Sequence, residues 1–279
     1  MNSKQASAAA QFHALHESGC FVLPNPWDRG SAIYLEHAGF KAVATTSAGV
    51  AFAQGLPDGG VALDVMLDHF RDIVTATSLP VNADYLNAFA DDPDGVAENV
   101  RRCVETGVAG LSVEDSTGNE ETPLYDFALA VERVKAARAA IDSSGVPVVL
   151  TARCEAHLVG AADPLRTSLD RLVAYADAGA DCLYAPGFTT LDDIAAIVKT
   201  VAPKPVNVLL YVKNCHLTFQ QLSDLGVRRI SLGSSLARAA WTGVVALTKE
   251  IQERGQFFWL SEATTFDFNS LFRGRSGSA

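Results

Sequence analysis

The sequence predicts a (β/α)8 barrel, and three observations predict it. Short apolar runs alternate with helical patterns, eight such units can be counted, and no Pro/Gly/Ser-rich linker divides them. Runs apolar on both faces are what a parallel sheet buried between helices requires. Eight strand–helix units in roughly 250 residues is the ordinary size of such a barrel. A doubly wound open sheet is the competing architecture, but no GxGxxG turn follows the first strand to support it.

The runs are CFVLP (20–24), KAVATT (41–46), LPVNAD (79–84), GLSVED (110–115), VPVVLTAR (146–153), ADCLYAP (180–186), KPVNVLL (204–210) and VRRISLG (227–233). Between them, the third helix is predicted from Asp92-Pro93 to near Gly107. The fourth is predicted from Thr122 and Pro123, with Leu124, Phe127, Ala128, Val131, Val134 and Ile141 at helical spacing. The sixth opens on Thr190 and Asp193, a capping-box spacing. Gly39, Gly107, Gly145, Gly179 and Gly226 stand where helices can end. One domain is expected over 1–279, with the barrel at about 20–253 and an aromatic-rich extension at 254–279. That extension, QFFWLSEATTFDFNSLF, is expected to pack on the barrel or on a neighbouring subunit.

Composition narrows the partners. The 279 residues are 48% hydrophobic and 19% charged, enough for a sizeable core. A net charge of −10 gives no electrostatic reason for nucleic acid or an anionic membrane as partner. Five scattered cysteines without a CxxC pair fit a reduced, cytosolic protein. MNSKQASAAA lacks the apolar core of a signal peptide, and no apolar run reaches membrane-spanning length. A cytoplasmic location is the expectation.

In this fold, function sits at the C-terminal ends of the strands. In PVNADYLNAF (80–89), Asn82 and Asp84 are two apart and share a face of strand 3. Strand 4 ends in Glu114 and Asp115, strand 5 in Thr151, Arg153 and Glu155, strand 6 in Tyr184, strand 7 in Asn207 and strand 8 in Ser231. Carboxylates crowded on one rim repel unless something positive sits between them. Asp84, Glu114 and Glu155, with Asn82 as a neutral oxygen donor, suit a hard divalent cation such as Mg2+. Arg153 offers a fixed fork for a substrate carboxylate or phosphonate. Asp28 and Asp115 are equally well read as a helix cap and a loop residue.

NADYLNAF resembles the strand-3 motif of the isocitrate lyase and phosphoenolpyruvate mutase superfamily, SVED (112–115) its strand-4 motif and TARCEA (151–156) its strand-5 motif. GLPDGG (55–60) resembles the loop carrying another family acid, here Asp58. The resemblance implies a barrel whose eighth helix is swapped between subunits of a homodimer or homotetramer, and Mg2+ or Mn2+ holding a small 2-oxo or enolate-like carboxylic acid. It implies that Ser47 and the Ala48 and Gly49 amides hold the substrate carboxylate and enolate oxygen, with Thr46 an alternative to Ser47. Asp84 would bind the metal directly, and Asp58 and Glu114 mainly through water. Arg153 would anchor the substrate, and Asn207 and Tyr184 would complete the wall.

Three departures stand beside those matches. Asn82 occupies a position where the family usually has an acid. Tyr85-Leu86-Asn87-Ala88 replaces a Gly-rich continuation. The strand-4 loop, STGNEETPLYDF (116–127), has neither the catalytic Cys of isocitrate-type lyases nor the Lys-Asn-Ser equivalent of phosphonate mutases. Lys213-Asn214-Cys215-His216 looks like the missing motif but follows strand 7, and it reads as a loop entering the next helix. Cys154 should point away from the site and belong to the core. The leading expectation is a metal-dependent lyase or decarboxylase of a small 2-oxo or 2-hydroxy acid, oxaloacetate-like or methylisocitrate-like, acting through a metal-stabilised enolate. Tyr125 or Glu120 is a candidate lid donor. P–C chemistry, as in a phosphoenolpyruvate mutase or phosphonopyruvate hydrolase, is the second reading. A weakly catalytic acid-binding barrel is the third.

Overall fold

In the computed structural model, which describes residues 3–273, each of the eight apolar runs contains a strand. The chain opens with α1 (Ser3–Glu17), β1 (Phe21–Leu23), α2 (Arg29–His37) and β2 (Val43–Ala44). Two helices, α3 (Ser47–Ala53) and α4 (Leu63–Ala76), separate β2 from β3 (Val81–Asp84), which leads to α5 (Pro93–Val104) and β4 (Gly110–Glu114). Next come α6 (Phe127–Ser144), β5 (Val149–Arg153), α7 (Pro164–Asp177) and β6 (Cys182–Tyr184). Then follow α8 (Leu191–Val201), β7 (Val206–Leu209), α9 (Phe219–Asp224) and β8 (Arg229–Ser231). The chain ends in α10 (Ser235–Arg254), a 3-10 turn (Phe258–Glu262) and α11 (Phe268–Arg273).

All strand pairs are parallel, in the order β1-β8-β7-β6-β5-β4-β3-β2. At the remaining seam the Ala44 N–H donates to the Pro24 carbonyl (3.0 Å), and Asn25 Nδ2 donates to the Thr45 carbonyl (2.8 Å). These two bonds nearly close the sheet into a (β/α)8 barrel.

Local chemistry sets the helix starts. Asp92 Oδ1 accepts from the Gly95 amide (2.9 Å) with Pro93 in the first turn of α5, and Thr190 Oγ1 accepts from the Asp193 amide (3.2 Å) at α8. One boundary differs from expectation. The fourth helix starts at Phe127, capped by Asp126, and not at Thr122–Pro123. Residues 116–124 instead form a small hairpin, with Ser116 bridged to Leu124 and the Thr117 amide donating to the Pro123 carbonyl (3.0 Å). The pattern from Thr122 onward matched a helix start, but the hairpin satisfies the backbone groups of Thr122–Leu124 first.

The N-terminal end of the barrel is plugged by α1. Gln5 Nε2 donates to the Val104 and Val108 carbonyls (2.7 and 3.1 Å), and Phe12 is fully buried. Gly110 makes room for it, since a Cβ there would lie 2.5 Å from the Phe12 ring. At the other terminus, Phe266 packs edge-on against Tyr34 (5.3 Å) and His37 (5.7 Å), so the aromatic extension lies on α2 of its own chain. Of the α10 side chains only Ala237 is buried, and Trp241, Val244 and Val245 are exposed. Among the described residues no helix is long and apolar enough to cross a membrane.

Candidate active site

Strand register brings the polar residues together. Glu114 pairs with Arg153, Arg153 with Tyr184, Tyr184 with Asn207, and Asn207 with Arg229, so all five face the barrel interior. Asp84 pairs with Ser112 on the same inner face. Barrels of this kind are usually filled by branched aliphatic side chains. Here Asn25, Thr45, Asn82, Ser112, Asn207, Arg229 and Ser231 line an interior cavity of about 50 Å3, which Asp84, Arg153 and Tyr184 also line.

Arg153 is the hub. Its Nε donates to Glu155, and its Nη1 lies 3.3 Å from Glu114 Oε2 and 3.5 Å from Asp84 Oδ1. Its guanidinium also lies 5.2 Å from the centre of the Tyr184 ring. Burial opposes the guanidinium's charge, but Glu155 and Glu114 more than offset that and hold its pKa well above the usual value. Burial pushes Glu114 up to about 8, against the pull of Arg153, and raises Glu155 for the same reason.

The rim residues each have a present partner. The Ser47 amide donates to Asp84 Oδ2 (2.9 Å), the Thr45 hydroxyl oxygen accepts from the Asp84 amide (2.9 Å), and the Gly49 amide donates to Thr46 Oγ1 (3.2 Å). Ala48 is buried beside them on α3. Asp58, on the exposed loop after α3, reaches the Ser47 hydroxyl, and its carboxyl is raised first by partial burial and then by Asp84. Asn82 is buried one pleat below Asp84; its Oδ1 has no hydrogen-bond partner and lies over Gly110.

Several side chains have structural roles. Asp115 Oδ1 accepts from the Glu155 amide (2.7 Å), and its Oδ2 accepts from Tyr175 (2.6 Å) and Arg171 (3.0 Å). Asp28 caps α2. Asn214 is fully buried and donates to the Phe188 and Leu209 carbonyls, so the stretch around Lys213 and Cys215 is a braced turn. Cys154 is buried against Ser168. Tyr125 is tied up on the β3 loop, donating to Asp91 (2.6 Å) and accepting from Asn87 (3.0 Å), while Glu120 is exposed on the hairpin tip.

Three residues of the interior escaped sequence reasoning. Arg229 is buried with neutral partners: Asn207 Oδ1 (2.9 Å), Thr151 Oγ1 (3.0 Å) and His16 Nε2 (3.3 Å). The signal for Arg229 was present, since it precedes Ser231 by two residues and shares its face. His16 gave no signal, because the apolar spacing of α1 is weak. Arg133 is buried under the β3 loop, donating to the Asn87 (2.6 Å), Asp91 (2.7 Å) and Ala90 carbonyls.

Among the described residues no group of three His, Cys, Asp or Glu side chains is arranged to hold a metal ion by itself. An open site does fit: Asp84 and Asp58 lie together at the rim, with Glu114 behind Arg153. Mg2+ takes one or two carboxylates and keeps its waters, so this donor set suits it better than it would suit Zn2+.

The fold and this rim define a parallel barrel with a charged, polar site at the C-terminal ends of its strands. Residues 12–252 match the model of the phosphoenolpyruvate phosphomutase family, and the chain belongs to that family, within the isocitrate lyase superfamily. A crystal structure of a lyase or mutase candidate from Burkholderia cenocepacia J2315 is 46% identical, covers 99% of this chain and 100% of that one, and superposes with a TM-score of 0.95. The 2-methylisocitrate lyase of Salmonella typhimurium is 34% identical over 57% of this chain and 55% of that enzyme. Oxaloacetate acetylhydrolase bound to its product oxalate is 25% identical, covers 95% and 94% of the two chains, and gives a TM-score of 0.83.

Proposed function

We propose that the protein is a cytoplasmic, Mg2+-dependent carbon–carbon lyase for small 2-oxo or 2-hydroxy carboxylic acids, with decarboxylation of an oxaloacetate-like acid its favoured reaction. The observation that carries this reading is Arg153 held among Asp84, Glu114 and Glu155 beside an interior cavity. Likeness to a methylisocitrate lyase and an oxaloacetate acetylhydrolase supports the same class.

Each residue has a task in that reaction. The Arg153 fork holds a substrate carboxylate, and the Glu155 contact fixes the fork's orientation. Asp84 is fixed by the Ser47 amide and stands ready, with Asp58 and Glu114, to hold the divalent ion. When bound, that ion supplies Lewis-acid stabilisation of negative charge developing on the substrate. Asn207 and Tyr184 form part of the cavity's wall. Loss of CO2 from a 2-oxo acid requires no cysteine acid on the strand-4 loop, which fits the composition of 116–127.

The family model's name favours a second reading, P–C bond chemistry, although the strand-4 loop brings acids and no Lys to a transferring phosphoryl group. An NMR turnover assay with Mg2+ and oxaloacetate, methylisocitrate, isocitrate or phosphonopyruvate separates the readings, with Asp84→Ala as control. Pyruvate formed from oxaloacetate above the metal-only rate, and lost in Asp84→Ala, is the expected result. Phosphate or phosphoenolpyruvate from phosphonopyruvate would establish the second reading. Thermal stabilisation by these acids without turnover would leave a binding barrel. The uncovered apolar face of α10 supports a homodimer or larger homo-oligomer.

A further inference from the structure

Cleavage that leaves a carbanion needs a proton source, and the strand-4 hairpin does not provide an obvious one. Its Tyr125 hydroxyl is engaged by Asp91 and Asn87. The cavity itself holds four titratable side chains: Asp84, Arg153, Tyr184 and Arg229. Asp84 accepts hydrogen bonds from the Ser47 amide and Arg153, and arginines do not release protons in a protein. Glu114 and Asp58 do not line the cavity. Tyr184 is the remaining weak acid.

Its surroundings have a direction. Arg229 Nε can only donate, so Asn207 presents Oδ1 to it (2.9 Å) and turns Nδ2 toward Ser231 Oγ (2.9 Å). Ser231 Oγ already accepts from Asn207, so its own proton is free to turn toward the Tyr184 phenol beside it in the cavity, a bond that opposes the rise burial causes. A phenol oxygen receiving that bond keeps its own proton for the cavity. We propose that the Tyr184 phenol protonates the carbanionic carbon of the 2-oxo acid after its C–C bond has broken.

This rests on the lyase reading above and adds the acid that it lacks. In the decarboxylation the C3–C4 bond breaks, CO2 departs, and the bonding pair enters the enolate of the remaining three-carbon acid. The Oη–H bond then breaks, its pair stays on Oη, and C3 takes the proton. Water restores the phenol. The Ser231 hydroxyl and Arg153, whose guanidinium lies 5.2 Å from the ring centre, stabilise the transient phenolate. Burial pushes the resting phenol up to about 12, so it enters the reaction protonated.

The test follows two signals in D2O with Mg2+: oxaloacetate turnover, and deuterium wash-in at the pyruvate methyl group. Tyr184→Phe removes one oxygen atom and should lower both kcat and wash-in by about 100-fold or more. Its KM and its thermal stabilisation by oxalate, a planar enolate mimic, should be undiminished. Ser231→Ala should slow wash-in by about tenfold, the loss of one hydrogen bond to a charged group. An active wild type with an equally active Tyr184→Phe overturns this proposal alone. A wild type that neither turns over an acid nor exchanges pyruvate overturns the lyase reading, and this proposal with it. If Tyr184→Phe does not melt cooperatively, Ser231→Ala decides, and unchanged wash-in in that variant overturns the proposal.

Discussion

Arg153 carries one positive charge into a space lined by the carboxyl groups of Asp84, Glu114 and Glu155. Removing it leaves buried carboxylates facing each other without compensation. Arg153→Met should abolish turnover and cost about 3–5 kcal/mol of stability in urea unfolding, the usual consequence of breaking a buried ion pair. His16 makes a pH prediction. Its Nδ1 donates to the Phe12 carbonyl (2.7 Å), so Nε2 accepts from Arg229 (3.3 Å) and the ring is neutral. Burial and then Arg229 lower its pKa from 6.5 to about 3, and burial lowers His69 to about 4. Both rings stay neutral in the folded chain, while the unfolded chain takes up protons below about pH 6.5. These two groups therefore contribute stability above pH 6.5 that is lost as pH falls toward 4 and 3. Urea unfolding across that range should show declining stability, and His16→Gln should make the decline shallower.

The β3 loop shows what an element requires beyond its residue types. Leu86, Ala88 and Phe89 have φ of 50°, 59° and 54°, a left-handed backbone that costs non-glycine residues roughly 1–2 kcal/mol each. Neighbouring groups hold it there. Arg133 bonds three of its carbonyls and stacks over the Tyr125 ring at 3.9 Å, and Asn99 Nδ2 bonds the Ala88 and Phe89 carbonyls (2.9 and 3.2 Å). Arg133→Met should cost about 3 kcal/mol in urea unfolding, because it strands buried carbonyls. It should also weaken stabilisation by oxalate, since Asp84 stands directly before this loop. The substitutions in DYLNAF were visible in the sequence as a departure from a Gly-rich motif. That the backbone keeps left-handed residues there was not, because the clamp is assembled from Asn99 of α5 and Arg133 of α6, the latter more than forty residues away.

At the scale of the whole molecule, α10 offers a surface for a second chain. Trp241, Val244 and Val245 expose an apolar stripe on a helix that buries only Ala237. Sedimentation velocity should show at least two chains associated, and Trp241→Glu with Val245→Glu should shift the protein to smaller species. The eight strands, and the convergence of Asp84, Glu114 and Arg153 on one rim, followed from the sequence by itself. Two-faced apolar runs specify a buried parallel sheet, and a period of two specifies which side chains share a face. The tertiary structure decided the rest, because those features depend on partners distant along the chain. It placed His16 of α1 against Arg229 of β8, ran Thr122–Leu124 into a hairpin rather than a helix start, and tied up Tyr125 on another loop. It also set Tyr184 among the cavity's polar groups, through a register that alternation along a single strand leaves free.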